Sequence, residues 1–581
     1  MKKSKIIPLM LSLAMGLSAC GSSNDTDAKT SGEGTGKGHK GDITATVDFD
    51  GDNIKSIEAV HNETEGLGDK AIDKLTDEMV ENNTVKVDTV SGATYSSAGF
   101  IEAVTAAIKD SGRDVKNFEK EAEAKEKKDS TQDTDVVVVG GGGAGFASAL
   151  TAKENGANVV LLEKMPQTGG NTLISGGEMA APENELQEKE GIEDSKELFA
   201  DDVKEAGGNP ELIDNLADKA TDAAYWLRDD VGVKWLDNLM FFGGHSVKRS
   251  LIPEEHSGNE LIKNYLNKCE ELGIDVITDA DVKEILSKDN KVTGIKAETE
   301  DGDLTINAKS VVLATGGFGA NDDMTYEYDH EIDEHVKSTN APGATGDGIL
   351  MAEKLGADTV DMDQIQLYPI CDVDTGRILY TGDTRLVGGA LLVNKEGDRF
   401  VEELGTRREI SLAIKAQTDH VGYLLWDEKS NEETGTMESN PDEAEEEFEK
   451  GNLYKADTIE ELAEHFDIDK DELLKTVETF NENSKKEEDP DFNLRMLGWT
   501  VDEGPYYMLK AAPAVHHTMG GLKINKEAEV LNKDDEWIEG LYAAGEVTGG
   551  IHGSNRLGSA AIADITVYGR IAGENAANNA K

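Results

Sequence analysis

The sequence predicts an α/β protein: a Rossmann-like sheet unit with an inserted α+β capping domain, preceded by a small α+β domain. Three observations predict it. Val136-Val137-Val138-Val139 is a run of four β-branched residues, the pattern of a parallel strand buried on both faces. It leads straight into Gly140-Gly141-Gly142-Gly143-Ala144-Gly145, and a second apolar run, Val159-Val160-Leu161-Leu162, follows one helix length later. Further apolar runs at 311–314 and 541–544 lie far downstream, so the sheet is drawn from distant segments with an insertion between them.

The chain opens like an exported protein. Lys2, Lys3 and Lys5 precede a short apolar stretch from Ile6 to Leu17, too short to span a bilayer comfortably. Leu17-Ser18-Ala19-Cys20 resembles a bacterial lipoprotein cleavage site, which implies a signal peptide over 1–20 and a lipid on Cys20. The expected location is extracytoplasmic, lipid-anchored to the outer face of the cell membrane. Residues 21–41, rich in Gly, Ser, Thr, Asp and Lys, read as a flexible linker. Residues 42–115 read as the small α+β domain, with strands at 43–49 and 55–60 around the turn Asp50-Gly51-Asp52 and helices near 69–82 and 96–111. Residues 116–133, mostly Lys, Glu, Asp and Ala, read as a charged helical linker. Residues 134–362 and 512–581 form the two parts of the sheet unit. Residues 363–511 form the cap, polar and helical, with Glu445-Glu446-Glu447 on a solvated helix face.

Composition narrows the chemistry. Asp and Glu number 117 against 58 Lys and Arg, a formal net charge of -59, which repels nucleic acid and excludes it as a partner. An anionic substrate needs local cations to overcome that field. The three cysteines, Cys20, Cys269 and Cys371, cannot build a disulfide framework, hold an iron–sulfur centre or attach a c-type haem. Electron chemistry therefore requires an organic cofactor.

Gly140, Gly142 and Gly145 match G-x-G-x-x-G after a buried strand, opening a helix at 145–155. The glycines permit a tight turn and a close approach of backbone to pyrophosphate at the helix N-terminus. Glu163 ends the next strand, placed to accept hydrogen bonds from an adenosine ribose. Gly169-Gly170-Asn171-Thr172, Ala314-Thr315-Gly316-Gly317 and Gly545-Glu546 offer further close approaches and favour FAD over NAD. On these motifs residues 134–581 resemble the FAD-dependent fumarate reductase and succinate dehydrogenase flavoproteins, among them the soluble flavocytochrome c fumarate reductases and the urocanate reductases. The resemblance implies non-covalent FAD held by Gly140, Gly142, Ala144, Gly145, Glu163, Asn171, Thr172, Gly177, Val282, Ala314, Thr315, Gly316, Asp347, His517, Glu546, Ala561 and Ile562.

Asp88-Thr89-Val90-Ser91-Gly92-Ala93-Thr94 resembles the flavinylation motif of FMN-binding domains. That implies a covalent FMN, a phosphoester on Thr94 made by an FMN transferase. Gly92 and Ala93 leave room for the phosphate, and the following helix offers it backbone donors. A tethered flavin cannot diffuse away, and it relays electrons from a membrane donor, quinol- or flavin-linked, to FAD.

The same resemblance implies a reducing site. Within Gly405-Thr406-Arg407-Arg408-Glu409, Arg407 aligns with the proton donor of the family. His516, in Val515-His516-His517-Thr518, and Arg556, in Ser554-Asn555-Arg556-Leu557-Gly558, align with the residues that grip the substrate carboxylate, together with Gly176. The His pair has no third ligand at suitable spacing, so no metal is expected. An arginine, with its very high ordinary pKa, acts as an acid only along a fixed relay; Arg385 and Asp383 are its expected members. Two departures bear on the substrate. Fumarate reductases carry His before Pro where this chain has Tyr368, and T-E-A-V-R where it has Thr381-Gly382-Asp383-Thr384-Arg385. A neutral Tyr and an anionic Asp disfavour a second carboxylate and suit an imidazole N–H, as in urocanate reductases. The expected function is reduction of a small unsaturated carboxylic acid, a 2-enoate, with urocanate to imidazolepropionate first. Fumarate or a methacrylate-type acid is the alternative; a flavin electron-transfer lipoprotein is the alternative from another class.

Overall fold

The computed structural model describes residues 29–38, 41–63, 68–90, 93–120, 127–387 and 389–581. Cys20 lies outside them, as do Ser91, Gly92 and the side chain of Thr94. The chain divides at residue 124 into two units.

The first unit is an antiparallel sheet of Ser31–Lys37, Asp42–Asp50 and Asn53–Val60 covered by helices Gly68–Asn82 and Thr94–Asp110. Alternation along the central strand buries Ile43, Ala45 and Val47 against the helices. Its first strand corrects the expected 21–41 linker. Ser31–Lys37 pairs in full register with Asp42–Asp48. Its composition reads as a tether because every second residue is glycine, yet those glycines let a helix lie on the bare strand. A Cβ at Gly32 would sit 2.0 Å from the Ala107 carbonyl oxygen, and one at Gly36 2.0 Å from that of Gly99. The 116–133 linker also shrinks. Phe118 is buried and its carbonyl accepts the Val85 N–H at 2.7 Å, while Ser130–Asp133 is an extended edge strand beside Gly302–Asn307 rather than a helix.

The second unit is centred on parallel strands in the order Asp275–Ile277, Val159–Leu162, Val136–Val139, Ser310–Leu313 and Trp537–Ala543. Each residue of Val136–Val139 is buried, between sheet neighbours Val159–Leu162 and Ser310–Leu313 and under the helices Gly143–Glu154 and Ala560–Ala580. Helix Gly143–Glu154 packs against the C-terminal helix Ala560–Ala580. Gly573 allows this closeness: a Cβ there would lie 2.2 Å from the Ser148 carbonyl oxygen.

The cap is built around a sheet as well as helices. The strand Tyr506–Thr518 pairs with Ile365–Cys371, Gly422–Asp427, Leu453–Ala456 and Lys337–Ser338. The expected boundary at 511/512 falls inside this strand. One continuous segment serves the cap at its Tyr506 end and the functional site at His516 and His517, so no composition break marks the crossing. The acidic run is not a solvated face throughout. Glu447 is fully buried, taking Lys450 Nζ at 3.0 Å and Asn452 Nδ2 at 3.1 Å, while Phe448 is partly exposed. Helix Pro441–Lys450 turns Glu447 inward to meet those donors. Among the described residues no helix is long and apolar enough to cross a membrane.

Candidate active site

The turn after Val136–Val139 opens a cleft. Gly140 holds φ at +108°, and a Cβ there would lie 2.2 Å from the Ala314 carbonyl oxygen. Gly142 starts helix Gly143–Glu154 without a side-chain cap; the Gly143 N–H goes to Thr172 Oγ1 at 3.2 Å, and the positive end of the helix lines the cleft. Glu163 is buried, and its carboxylate accepts the Gly141 N–H at 2.8 Å and the Met165 N–H at 2.9 Å. Burial raises its pKa and those two bonds oppose the rise. Thr315 Oγ1 is buried on this wall with no partner. A long glycine-lined trough with an orphaned hydroxyl, a helix N-terminus and an acid at the strand end fits FAD.

Of the residues expected at FAD, Gly140, Gly142, Ala144, Glu163, Asn171, Thr172, Val282, Ala314, Thr315, Gly316, Asp347 and Glu546 line the cleft. Gly145, Gly177, His517, Ala561 and Ile562 do not. Gly145 instead lets the helix touch the loop, since a Cβ there would meet the Gly140 carbonyl oxygen at 1.9 Å. Gly177 serves a loop turn at φ +76°, tight against Gly258. His517 stands behind Glu546, its Nδ1 3.4 Å from Oε2. On the C-terminal helix the wall is reached by Ile565, one turn beyond Ala561 and Ile562. Lys164, unforeseen, also lines the cleft and binds Asp347 at 2.6 Å; its place directly after Glu163 was the available signal. Gly140→Val would force a β-branched side chain into the left-handed region and against backbone. The expected outcome is a folded protein purified with less than a tenth of the wild-type acid-releasable FAD, measured by flavin extraction after precipitation.

In the first unit, helix Thr94–Asp110 starts at Ala93 with no side-chain cap. No capping side chain covers its positive end, which fits an FMN phosphate.

Beyond the cleft the sheet register assembles a second cluster. Gln366 lies opposite His517 and Tyr368 opposite Ala514. Arg407 is the first residue of helix Arg407–Lys415, whose capping box joins Thr406 and Glu409. Its Nη1 donates to Gln366 Oε1 at 3.2 Å, and its guanidinium sits 4.8 Å from the Tyr368 ring centroid. Gln366 Nε2 in turn donates to the Arg556 carbonyl at 3.0 Å. Arg556 Nη2 donates to His516 Nε2 at 2.8 Å, and His516 Nδ1 faces Thr339 Oγ1 at 3.0 Å. This geometry places the imidazole proton on Nδ1, so His516 here steadies Arg556; donating to an anion takes the opposite tautomer. Burial, reinforced by both arginines, holds His516 well below the usual histidine range. Burial and the neighbouring Arg407 bring Arg556 down to about 9. Neither Arg407 nor Arg556 has a carboxylate ion-pair partner among the described residues, whereas Arg249, Arg399, Arg408 and Arg495 all do. Two close cations without a counter-ion form a site for an anion.

The far end has the opposite character. Tyr368 is buried and its hydroxyl donates to Asp383 Oδ1 at 3.0 Å. Burial raises the Asp383 carboxyl, and Arg385, Tyr368 and Arg407 pull it back. Glu178, which no sequence motif marked, lies within electrostatic reach of both Asp383 and Arg556, and burial raises it too. Gly176 belongs beside it: a Cβ there would sit 2.3 Å from Glu178 Oε1. Arg385 donates to the Glu403 carbonyl at 2.9 Å and couples to Asp383 by charge rather than by a hydrogen bond.

Fold and site together define a dinucleotide-binding flavoprotein with an anion pocket. The chain belongs to the FAD binding domain family, whose model matches residues 135–562, and an FMN-binding domain model matches residues 38–109. It is an FAD-dependent oxidoreductase that also carries an FMN domain. A urocanate reductase of Eggerthella lenta is 45% identical over 573 residues, covering 96% of this chain and 95% of that protein. An NADH:fumarate oxidoreductase of Klebsiella pneumoniae is 37% identical; the match covers 93% of this chain but only 57% of that longer protein. A solved flavocytochrome c3 fumarate reductase in an open conformation superposes with a TM-score of 0.70 at 39% identity, covering 77% of this chain and 79% of that one.

Proposed function

We propose that this flavin-dependent enoate reductase acts on urocanate, outside the cell, with electrons relayed by an FMN esterified to Thr94 and with the chain anchored by a lipid on Cys20. The observation that carries the substrate reading is the polarity of the pocket. Its Arg556 end takes one carboxylate. Its Tyr368–Asp383 end, with Glu178 nearby, repels a second one and accepts N–H groups. Reduced FAD, when bound, supplies the hydride. Arg556 fixes the carboxylate and so sets which alkene carbon faces the flavin. Arg407 holds an N–H directed at the other carbon and gives up its proton there, with Gln366 fixing the guanidinium. Asp383 and Tyr368 orient the ring. The short apolar stretch Ile6 to Leu17 before Cys20 and the lack of a Cys-x-x-Cys-His run in the sequence support a covalent flavin as the electron entry, and the 45% identical urocanate reductase supports the substrate.

The test is a panel of acids offered to the flavin-loaded, viologen-reduced enzyme. Urocanate kcat/KM is expected to exceed that of fumarate by at least about a hundred-fold, since placing like charges together costs several kcal/mol. Asp383→Asn should narrow that ratio at least ten-fold. Dominant fumarate turnover would replace urocanate with the dicarboxylate, and equal rates in Asp383→Asn would remove Asp383 from recognition.

A further inference from the structure

The segment Phe242–Ser250 carries a buried network that the reducing site does not use. Arg249 is fully buried, and its guanidinium is divided between two aspartates: Nε and Nη2 go to Asp194 at 3.0 and 2.9 Å, and Nη1 to Asp202 at 2.6 Å. Nη1 also faces His245 Nδ1 at 3.2 Å. On the other side of the ring, His245 Nε2 lies 2.8 Å from the Gly558 carbonyl oxygen. A carbonyl only accepts, so Nε2 carries the proton and Nδ1 is left to take the Arg249 N–H. The permanent Arg249 cation therefore selects the tautomer that binds Gly558. Phe199 stacks on the His245 ring at 5.9 Å and holds its plane.

Gly558 lies two residues after Arg556, and the carbonyls between them are all fixed. Gln366 donates to the Arg556 carbonyl at 3.0 Å, Arg556 Nη1 to that of Leu557 at 3.1 Å, and both His245 and the Ser559 hydroxyl to that of Gly558, at 2.8 and 2.5 Å. The Ser559 carbonyl takes the Ala180 N–H at 3.1 Å, although Ser559 sits in the left-handed region at φ +62°. Phe242 forms a wall against the same turn: a Cβ at Gly558 would meet its ring at 2.6 Å. We propose that His245, locked by Arg249, is a positioning residue that holds the Gly558 carbonyl and through it aims the Arg556 guanidinium at the substrate carboxylate. This rests on the reading of Arg556 as the carboxylate clamp.

The experiment uses the full-length enzyme loaded with both flavins. His245→Phe keeps ring volume and the stack on Phe199 but cannot donate; His245→Gln restores a donor. With His245→Phe, KM for the acid is expected to rise about ten-fold with kcat within about two-fold of wild type, the scale of one lost hydrogen bond behind a binding group. His245→Gln should recover most of the affinity, with bound FAD and Tm equal in the two variants. Arg556→Ala is run alongside. If Arg556→Ala leaves KM unchanged, the clamp reading fails. If Arg556→Ala raises KM while His245→Phe does not, or if Gln fails to rescue, the positioning role is overturned. A His245→Phe protein that cannot fold also overturns it, because the network would then be a structural ion cluster.

Discussion

Arg407→Ala is expected to lower kcat by about a thousand-fold, in the middle of the range for removing a positioned general acid, while FAD content and urocanate binding stay near wild type. The expectation comes from how little else Arg407 does. It starts a helix already secured by the Thr406–Glu409 capping box. Among the described residues its one side-chain hydrogen bond goes to Gln366, and its flank rests on Tyr368. Among the described residues no carboxylate forms an ion pair with it; its removal withdraws one of the charges that pull the Asp383 carboxyl back, and Arg385 and Tyr368 remain to do so. The remaining N–H groups of the fork are free for a substrate carbon. Arg408 is the internal control: it pairs with Asp329 at 2.6 Å and Glu331 at 2.8 Å, and Arg408→Ala should leave kcat within a few-fold. Single-turnover reoxidation of the reduced flavin separates the proton step from electron delivery. If Arg407→Ala reoxidises at the wild-type rate, the proton comes from elsewhere, and the electron-transfer reading gains ground.

Much of this site is legible in the sequence because it rests on local chemistry. A strand buried on both faces must read as an apolar run, and Val136–Val139 does. A backbone that must approach a pyrophosphate has few residue choices, and Gly140 to Gly145 show them. The pairing of Tyr368 with Asp383, read only as two departures in separate motifs, is a hydrogen bond in the structure. What stayed hidden depends on long-range placement. Glu178 sits alone in a loop, and only the fold brings it near Asp383 and Arg556. Gln366 bridges Arg407 and the Arg556 backbone, a role set by register on the Tyr506–Thr518 strand rather than by any motif. His245 is 313 residues from Gly558. The Ser31–Lys37 strand was concealed for a different reason: its glycines serve helix packing, and glycine-rich composition is also how tethers are written.

Arg556→Ala is expected to raise KM for urocanate by about a hundred- to a thousand-fold, since truncating one partner of a buried, hydrogen-bonded charge pair costs roughly 2–5 kcal/mol. Arg556 is buried, its Nε has no partner, and among the described residues no carboxylate forms an ion pair with it. Burial and Arg407 both oppose its charge, which is why it falls to about 9. A bound carboxylate reverses that balance, and the sign of the pH dependence follows. The cation is present below its pKa, so affinity for the acid is full at neutral pH. As pH rises past about 9 the free enzyme loses the cation, and KM climbs. Near that pH Arg556 must take up a proton as the acid binds, which titration calorimetry in buffers of different ionisation enthalpy detects. The alkaline limb should vanish in Arg556→Ala, whose KM is already high and flat. A wild-type KM that stays level to pH 10, together with an Arg556→Ala enzyme of unchanged affinity, would mean that the anion is held elsewhere. A wild-type limb that survives in Arg556→Ala would assign the titration to another group in the pocket, with the Tyr368–Asp383 end next to be tested.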